Sequence, residues 1–227
     1  MAQSVLIIAD SGTGKSTAIR DLNPDETFII NIANKPLPFK GWKKNYTLIS
    51  KDNPKGNLAS ASSAAGIMKA INHVDQKCPT IKTLVVDDWQ YMSSFEYFDR
   101  ANEKGYDKFT QIAANLALVA KAPKDLRDDL TVIFLTHSED STDINGNRKI
   151  KAKTIGKMID NTLTLEGLFS IVLFGKVNKL DDGELEYGFE TQNNGENTCK
   201  SPMGMFKDKF IPNDLQFVIS CIEEYNK

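Results

Sequence analysis

Several short stretches of the chain are unbroken apolar runs, and between them apolar positions recur every three or four residues. Val5-Leu6-Ile7-Ile8-Ala9 is the first run. A continuous apolar stretch of this length, bounded by polar residues, predicts a strand buried on both faces. Residues 27–32, 81–86, 131–136 and 170–177 predict further strands of the same kind. Helical spacing lies between them: Ile67, Ile71 and Val74 share a face in a segment starting near Ala59. Phe109, Ile112, Leu116 and Val119 share another before Pro123 interrupts. Strands alternating with helices predict an α/β layered fold with a mainly parallel sheet.

The last third changes pattern. After 170–177 comes Asp181-Asp182-Gly183, and then Leu185, Tyr187 and Phe189 alternate with Glu186, Gly188 and Glu190. That predicts a hairpin whose second strand is half exposed. Pro212-Asn213-Asp214 opens a terminal helix with Leu215, Val218, Ile219 and Ile222 on one face. No repeat, low-complexity tract or linker divides the chain, so one domain spanning 1–227 is expected.

Composition narrows the function. The 227 residues carry 28 Lys plus Arg against 30 Asp plus Glu, a formal net charge of −2. Any nucleic-acid binding must therefore come from local patches rather than a basic whole-molecule field. Apolar runs fall well short of the ~20 residues that cross a bilayer, and the N-terminal run is too short for a signal peptide. Three cysteines (Cys78, Cys199, Cys221) have no metal-ligand spacing and an odd count. A soluble cytoplasmic protein is expected.

The first run leads into Ala9-Asp10-Ser11-Gly12-Thr13-Gly14-Lys15-Ser16-Thr17, a Walker A pattern in which Ala9 replaces the first glycine. Gly12 and Gly14 let the backbone curl so that its N–H groups face phosphates. Lys15 brings a point charge to the β- and γ-phosphates, and the Ser16 hydroxyl suits Mg²⁺. A helix starting at Lys15 would aim its positive end at the same anion. Ala9 is tolerable if its φ is negative. ATP with Mg²⁺ is the expected ligand, bound by residues 10–17. The run Thr83-Leu84-Val85-Val86 ends in Asp87-Asp88, a Walker B pattern. Asp87 is the expected Mg²⁺ partner. Asp88 either orients or deprotonates the attacking water or caps the next helix. His137 ends the 131–136 strand, where ligands of doubly wound sheets lie, and is either a γ-phosphate sensor or a structural histidine.

Taken with Asn34-Lys35-Pro36-Leu37-Pro38-Phe39, Thr136-His137-Ser138-Glu139 and Lys200-Ser201-Pro202-Met203-Gly204-Met205-Phe206, these motifs resemble phage-encoded RecA-core P-loop ATPases. The chain is most similar to the small single-strand-annealing recombinases. The resemblance implies a RecA-like fold that hydrolyses ATP with Mg²⁺. It also implies a homo-oligomeric ring or filament with ATP at subunit interfaces, and action on single-stranded DNA, alongside a single-strand-binding protein, in the host cytoplasm. It implies a glutamate after the second strand, where this chain has Asn34. It further implies a lysine delivered across the interface, a role matched by Lys200.

Two basic stretches are candidates for DNA. Arg148, Lys149, Lys151, Lys153 and Lys157 form a turn-rich cluster with no acid from 144 to 159, expected as a mobile DNA-binding loop. Lys35, Lys40, Lys43, Lys44 and Lys51 are interleaved with Phe39, Trp42 and Tyr46. That arrangement suits base stacking, unless the aromatics pack on the core. Two other functions remain open: a small-molecule P-loop kinase, disfavoured by the scarcity of arginine, and a nucleotide-gated module with little turnover, favoured by Asn34. Arg100 and Arg127 could each be finger or surface residues.

Overall fold

A computed structural model describes residues 1–142, 146–155 and 164–227. The apolar runs become strands β1 (Gln3–Ala9), β2 (Thr27–Asn31), β4 (Thr83–Asp87), β5 (Thr131–Thr142) and β7 (Ile171–Lys179), with a short β3 (Leu58–Ser60) between the second and third runs. β6 (Arg148–Ala152), β8 (Leu185–Glu190) and β9 (Phe210–Pro212) follow the antiparallel parts of the chain, and a short helix α1 (Trp42–Asn45) precedes β3. The nine strands make one sheet in the order β3-β2-β4-β5-β1-β7-β8-β9, with β6 paired to the far end of β5. Pairing is parallel from β3 to β7 and antiparallel from β7 to β9. The fold is an α/β P-loop NTPase fold.

The unbroken apolar runs are explained by what covers the sheet. Leu6, Ile8, Phe28, Ile30, Leu84, Val86, Val132 and Phe134 point to one face. There they meet Ile67, Ile71 and Val74 of α2 (Ala64–Lys77), Met92 of α3 (Gln90–Asp99) and Ile112, Leu116 and Val119 of α4 (Asp107–Lys121). Val5, Ile7, Ile29, Val85, Ile133 and Leu135 point to the other, against Ala18, Ile19 and the terminal α5 (Leu215–Tyr225). A strand that alternates faces yet packs on both has no polar position to spend.

Three local expectations change. Helix α2 starts at Ala64, capped by Ser63 Oγ accepting from Gly66 N at 3.2 Å, while Ala59 belongs to β3. The segment after the phosphate loop is a six-residue 3-10 turn, Ser16–Asp21, which ends at Leu22 just before Pro24. Of the basic cluster expected as a mobile loop, Arg148, Lys149 and Lys151 lie on strand β6, paired antiparallel with β5 from Ser138↔Ala152 to Thr142↔Arg148. The expected hairpin is present as β7–β8, turning at Gly183 with φ 88°. Phe189 is its buried inward residue, while Leu185 and Tyr187 lie exposed. Among the described residues no helix is long and apolar enough to cross a membrane.

Candidate nucleotide site

The carboxyl ends of β1, β4 and β5 converge on a cavity of about 630 Å³, where ligands of open α/β sheets bind. Ser11, Gly12, Gly14, Lys15, Ser16 and Thr17 line it with Asp88 and His137, and with Lys35, which had been grouped with the basic stretch. Gly12 and Gly14 hold φ of 82° and 87°, the left-handed conformation the loop needs and side chains resist. Thr13 Oγ1 donates to Asp10 O at 2.7 Å, and Ser138 Oγ donates to the Asp10 carboxylate, bracing the loop from both sides. Asp10 and Thr13 therefore shape the loop, and neither lines the cavity.

Ala9 stands where the motif has glycine, and its φ is not positive. The space it needs comes from the neighbouring strand. Ala9 pairs with Gly175 on β7, and a Cβ on Gly175 would stand 2.6 Å from the Ala9 methyl. The glycine has in effect moved across the sheet.

Lys15 is buried, and its Nζ donates to Ala9 O at 2.8 Å and Asp10 O at 2.7 Å. Burial lowers its pKa to about 8, against the pull of Asp88 and Asp87. A phosphate would offer this ammonium a better partner than two carbonyls. Ser16 Oγ donates to Asp87 Oδ1 at 2.9 Å. Burial, with the charge of Asp88, pushes Asp87 up to about 6. This hydroxyl–carboxylate pair fits Mg²⁺, which keeps several waters and takes one or two protein oxygens beside the phosphates. No group of three His, Cys, Asp or Glu suited to a metal exists among the described residues.

Asp88 is 3% exposed at its side chain and holds φ 59°, a left-handed conformation that few side chains besides asparagine and aspartate adopt. Its Oδ2 lies 2.5 Å from Lys35 Nζ and its Oδ1 3.6 Å from His137 Nε2. Burial works to raise Asp88, but His137 and Lys35 outweigh it and hold the carboxyl below its ordinary value. Burial likewise works against Lys35, but the Asp88 carboxylate more than offsets this and holds its ammonium above the ordinary value. Asp88 does not cap α3, whose N-cap residue is Trp89 and has no side-chain cap bond. Gln90 instead clamps the end of β5: its Oε1 accepts from His137 N at 3.2 Å and Thr136 Oγ1 at 3.4 Å.

Lys35 reaches Asp88 because Asn31 folds the chain back. Asn31 Nδ2 donates to Lys35 O at 2.6 Å and its Oδ1 accepts from Lys35 N at 3.3 Å. Asn34 sits in that turn with φ 52°. Asparagine is one of the few side chains at ease there, which explains it by backbone geometry. Nothing local in the sequence announces the Lys35–Asp88 pair. Of the remaining aromatics in that stretch, Tyr46 is buried, and Phe39 and Trp42 pack against the core. Phe39 and Trp42 remain half-exposed.

A family model described as an AAA domain matches residues 1–203. The chain belongs to that family. Compared with the curated proteins, it matches none. The match gives this AAA domain the P-loop NTPase identity that the loop, Lys15 and Ser16–Asp87 display, and it ends before β9 and α5.

Other candidates fall elsewhere in this AAA domain. Lys200 bridges Val172 of β7, its N–H donating to Val172 O at 3.0 Å, and does not line the cavity. Arg148 pairs with Asp140 at 2.9 Å and Lys151 with Glu139 at 3.2 Å across the β5–β6 hairpin, while Lys149 Nζ donates to Gly195 O. Lys153 follows the hairpin, its N–H donating to His137 O at 2.8 Å. Lys157 lies outside the described residues. Arg100 is engaged by Glu96 and Glu103, and Arg127 by carbonyls closing α2.

Proposed function

We propose that the protein is a Mg²⁺-dependent ATPase whose turnover is coupled to the β5–β6 hairpin. The observation that carries this is the meeting of Lys15, Ser16 and the Lys35–Asp88–His137 cluster in one cavity, with buried Asp87 hydrogen-bonded to Ser16. Lys15 leaves the Ala9 and Asp10 carbonyls for the phosphates. Ser16 and Asp87 would hold Mg²⁺, which supplies charge neutralisation at the phosphate oxygens. The terminal phosphate competes with Asp88 for Lys35. As Lys35 turns to it, Asp88 loses its cation and becomes a better acceptor for a proton from the attacking water. His137, 3.6 Å from the same carboxylate, registers the change and passes it to Lys153 through its carbonyl.

Single-stranded DNA is the partner we propose for that hairpin. The supporting observation is that the basic residues of β6 continue from the strand that carries His137. Because Asp140 and Glu139 already face Arg148 and Lys151, DNA phosphates must displace carboxylates, which makes binding modest and salt-sensitive. Strand annealing in phage recombination and a ring or filament with Lys200 reaching a neighbour's ATP rest on the sequence resemblance. The test is steady-state hydrolysis of Mg²⁺–ATP with and without long single-stranded DNA, at low and physiological salt. Phosphate release that is absent in Lys15→Ala and stimulated by DNA supports the proposal. Phosphate transfer to an added nucleoside would replace it with a kinase, and turnover indifferent to DNA would remove the DNA partner.

A further inference from the structure

The cavity has a second wall that the phosphate chemistry does not use. Tyr187 of β8, Pro212 of β9 and Asn213 line it together with Pro38 and Arg20. Pro212 and Asn213 lie beyond residue 203, where the family match ends. Gly188 brings this wall into place, since a Cβ there would meet Ile211 O and the Phe210 ring at 2.4 Å. Only glycine lets the two strands close so tightly. Asn213 N then donates to Tyr187 O at 3.2 Å, and Arg20 Nη1 donates to Asn213 O at 2.8 Å.

The Asn213 side chain lies against the phosphate loop, its amide atoms 3.2 Å from where a Cβ on Gly14 would stand. Asn213 is 6% exposed, and its Nδ2 has no hydrogen-bond partner among the described residues. Arg20 Nη1, 3.5 Å from Asn213 Oδ1, fixes which amide atom faces the guanidinium, leaving Nδ2 for something else. A buried amide N–H without an acceptor is costly unless a ligand supplies one. Tyr187, although 43% exposed, is on the cavity wall. A triphosphate has no use for a tyrosine ring and two prolines. A nucleoside has, because its base offers an apolar face and its edge offers acceptors.

We infer that Tyr187, Pro212 and Asn213 form the nucleoside end of the site, with the base stacked on the Tyr187 ring beside Pro212 and Asn213 Nδ2 donating to a base or ribose acceptor. This rests on the nucleotide reading above. Calorimetric titration of the full chain with Mg²⁺ and either ATP or inorganic triphosphate separates the two. The wild type binds ATP at least tenfold tighter than triphosphate. Tyr187→Ala loses roughly 5- to 150-fold in ATP affinity, the range of one stacked base, and keeps its triphosphate affinity. Tyr187→Phe restores ATP binding, and Asn213→Ala loses roughly 3- to 10-fold for ATP alone. Wild-type ATP affinity in Tyr187→Ala and Asn213→Ala overturns the inference while leaving the phosphate site standing, as does equal wild-type affinity for the two ligands. Undiminished binding of both ligands by Lys15→Ala overturns the phosphate site itself, and the subsite with it.

Discussion

Asp88 concentrates several costs in one residue: a buried carboxylate, a left-handed backbone and an ammonium drawn in to neutralise it. Such strain persists only where the surroundings hold it, and it gathers at working sites. Lys35 is the hinge of this arrangement. In Lys35→Ala, Asp88 loses its nearest cation and its pKa rises, but the terminal phosphate loses the ammonium that would turn to it during transfer; ATP turnover falls roughly tenfold or more, while ATP affinity, set mainly by Lys15 and the loop, changes less than about threefold. Parallel kcat and equilibrium-binding measurements check this, and equal losses in both would make Lys35 a plain phosphate ligand. Lys15, Ser16 and Asp87 were legible in the sequence because their spacing is local to one strand exit each. Lys35 was not, since it meets Asp88 only through the turn that Asn31 ties.

At the scale of elements, the sheet supplies what the loop lacks. Gly175→Ala puts a methyl 2.6 Å from that of Ala9, so it destabilises the fold by about 1–3 kcal/mol. Ala9→Gly in the same chain recovers most of that, a coupling that urea denaturation of the double-mutant cycle reads directly. Arg127 does similar work at the other end of the sheet. Its guanidinium donates to Val74 O at 2.8 Å, Asp75 O at 3.0 Å, Cys78 O at 3.2 Å and the Ile81 carbonyl, and its Nε donates to Asp129. The Val74, Asp75 and Cys78 carbonyls end α2, where a cation satisfies acceptors the helix leaves open. Arg127→Ala therefore costs about 2–4 kcal/mol in stability with ATP affinity unchanged. Lys82, aided by Arg127, holds Asp129 below the ordinary carboxylate range. That contribution is complete above the ordinary aspartate pKa of about 4 and is lost as pH falls through the lower folded value. Melting temperatures of wild type and Lys82→Ala accordingly converge in strong acid.

The whole molecule links two poles, the phosphate cavity and the hairpin, through His137. Replacing Lys149, Lys151 and Lys153 by Glu leaves ATP affinity intact and abolishes DNA stimulation of turnover. The melting temperature falls little, because the Lys151–Glu139 pair that is broken is partly exposed. Stimulation that survives the triple change puts any DNA surface elsewhere. If Lys200 serves a neighbour's site, mixing Lys200→Ala with Asp87→Ala subunits restores part of the turnover that each lacks alone. No recovery removes the shared site.

The sequence by itself determined the parallel layered sheet, the helix faces, the β7–β8 hairpin and the phosphate loop. Each of these is written in a period or a spacing of a few residues, and backbone sterics and burial read such patterns locally. It misread Arg148 to Lys151 as loop because such a run of charges carries no strand signal until the long β5 offers it partners. Only the tertiary structure decided the Lys35–Asp88 pair, the exchange of glycine between Ala9 and Gly175, and the approach of Asn213 to Gly14. These contacts join residues far apart in the chain. Strand order and register create them, and neither is encoded by any single stretch of residues.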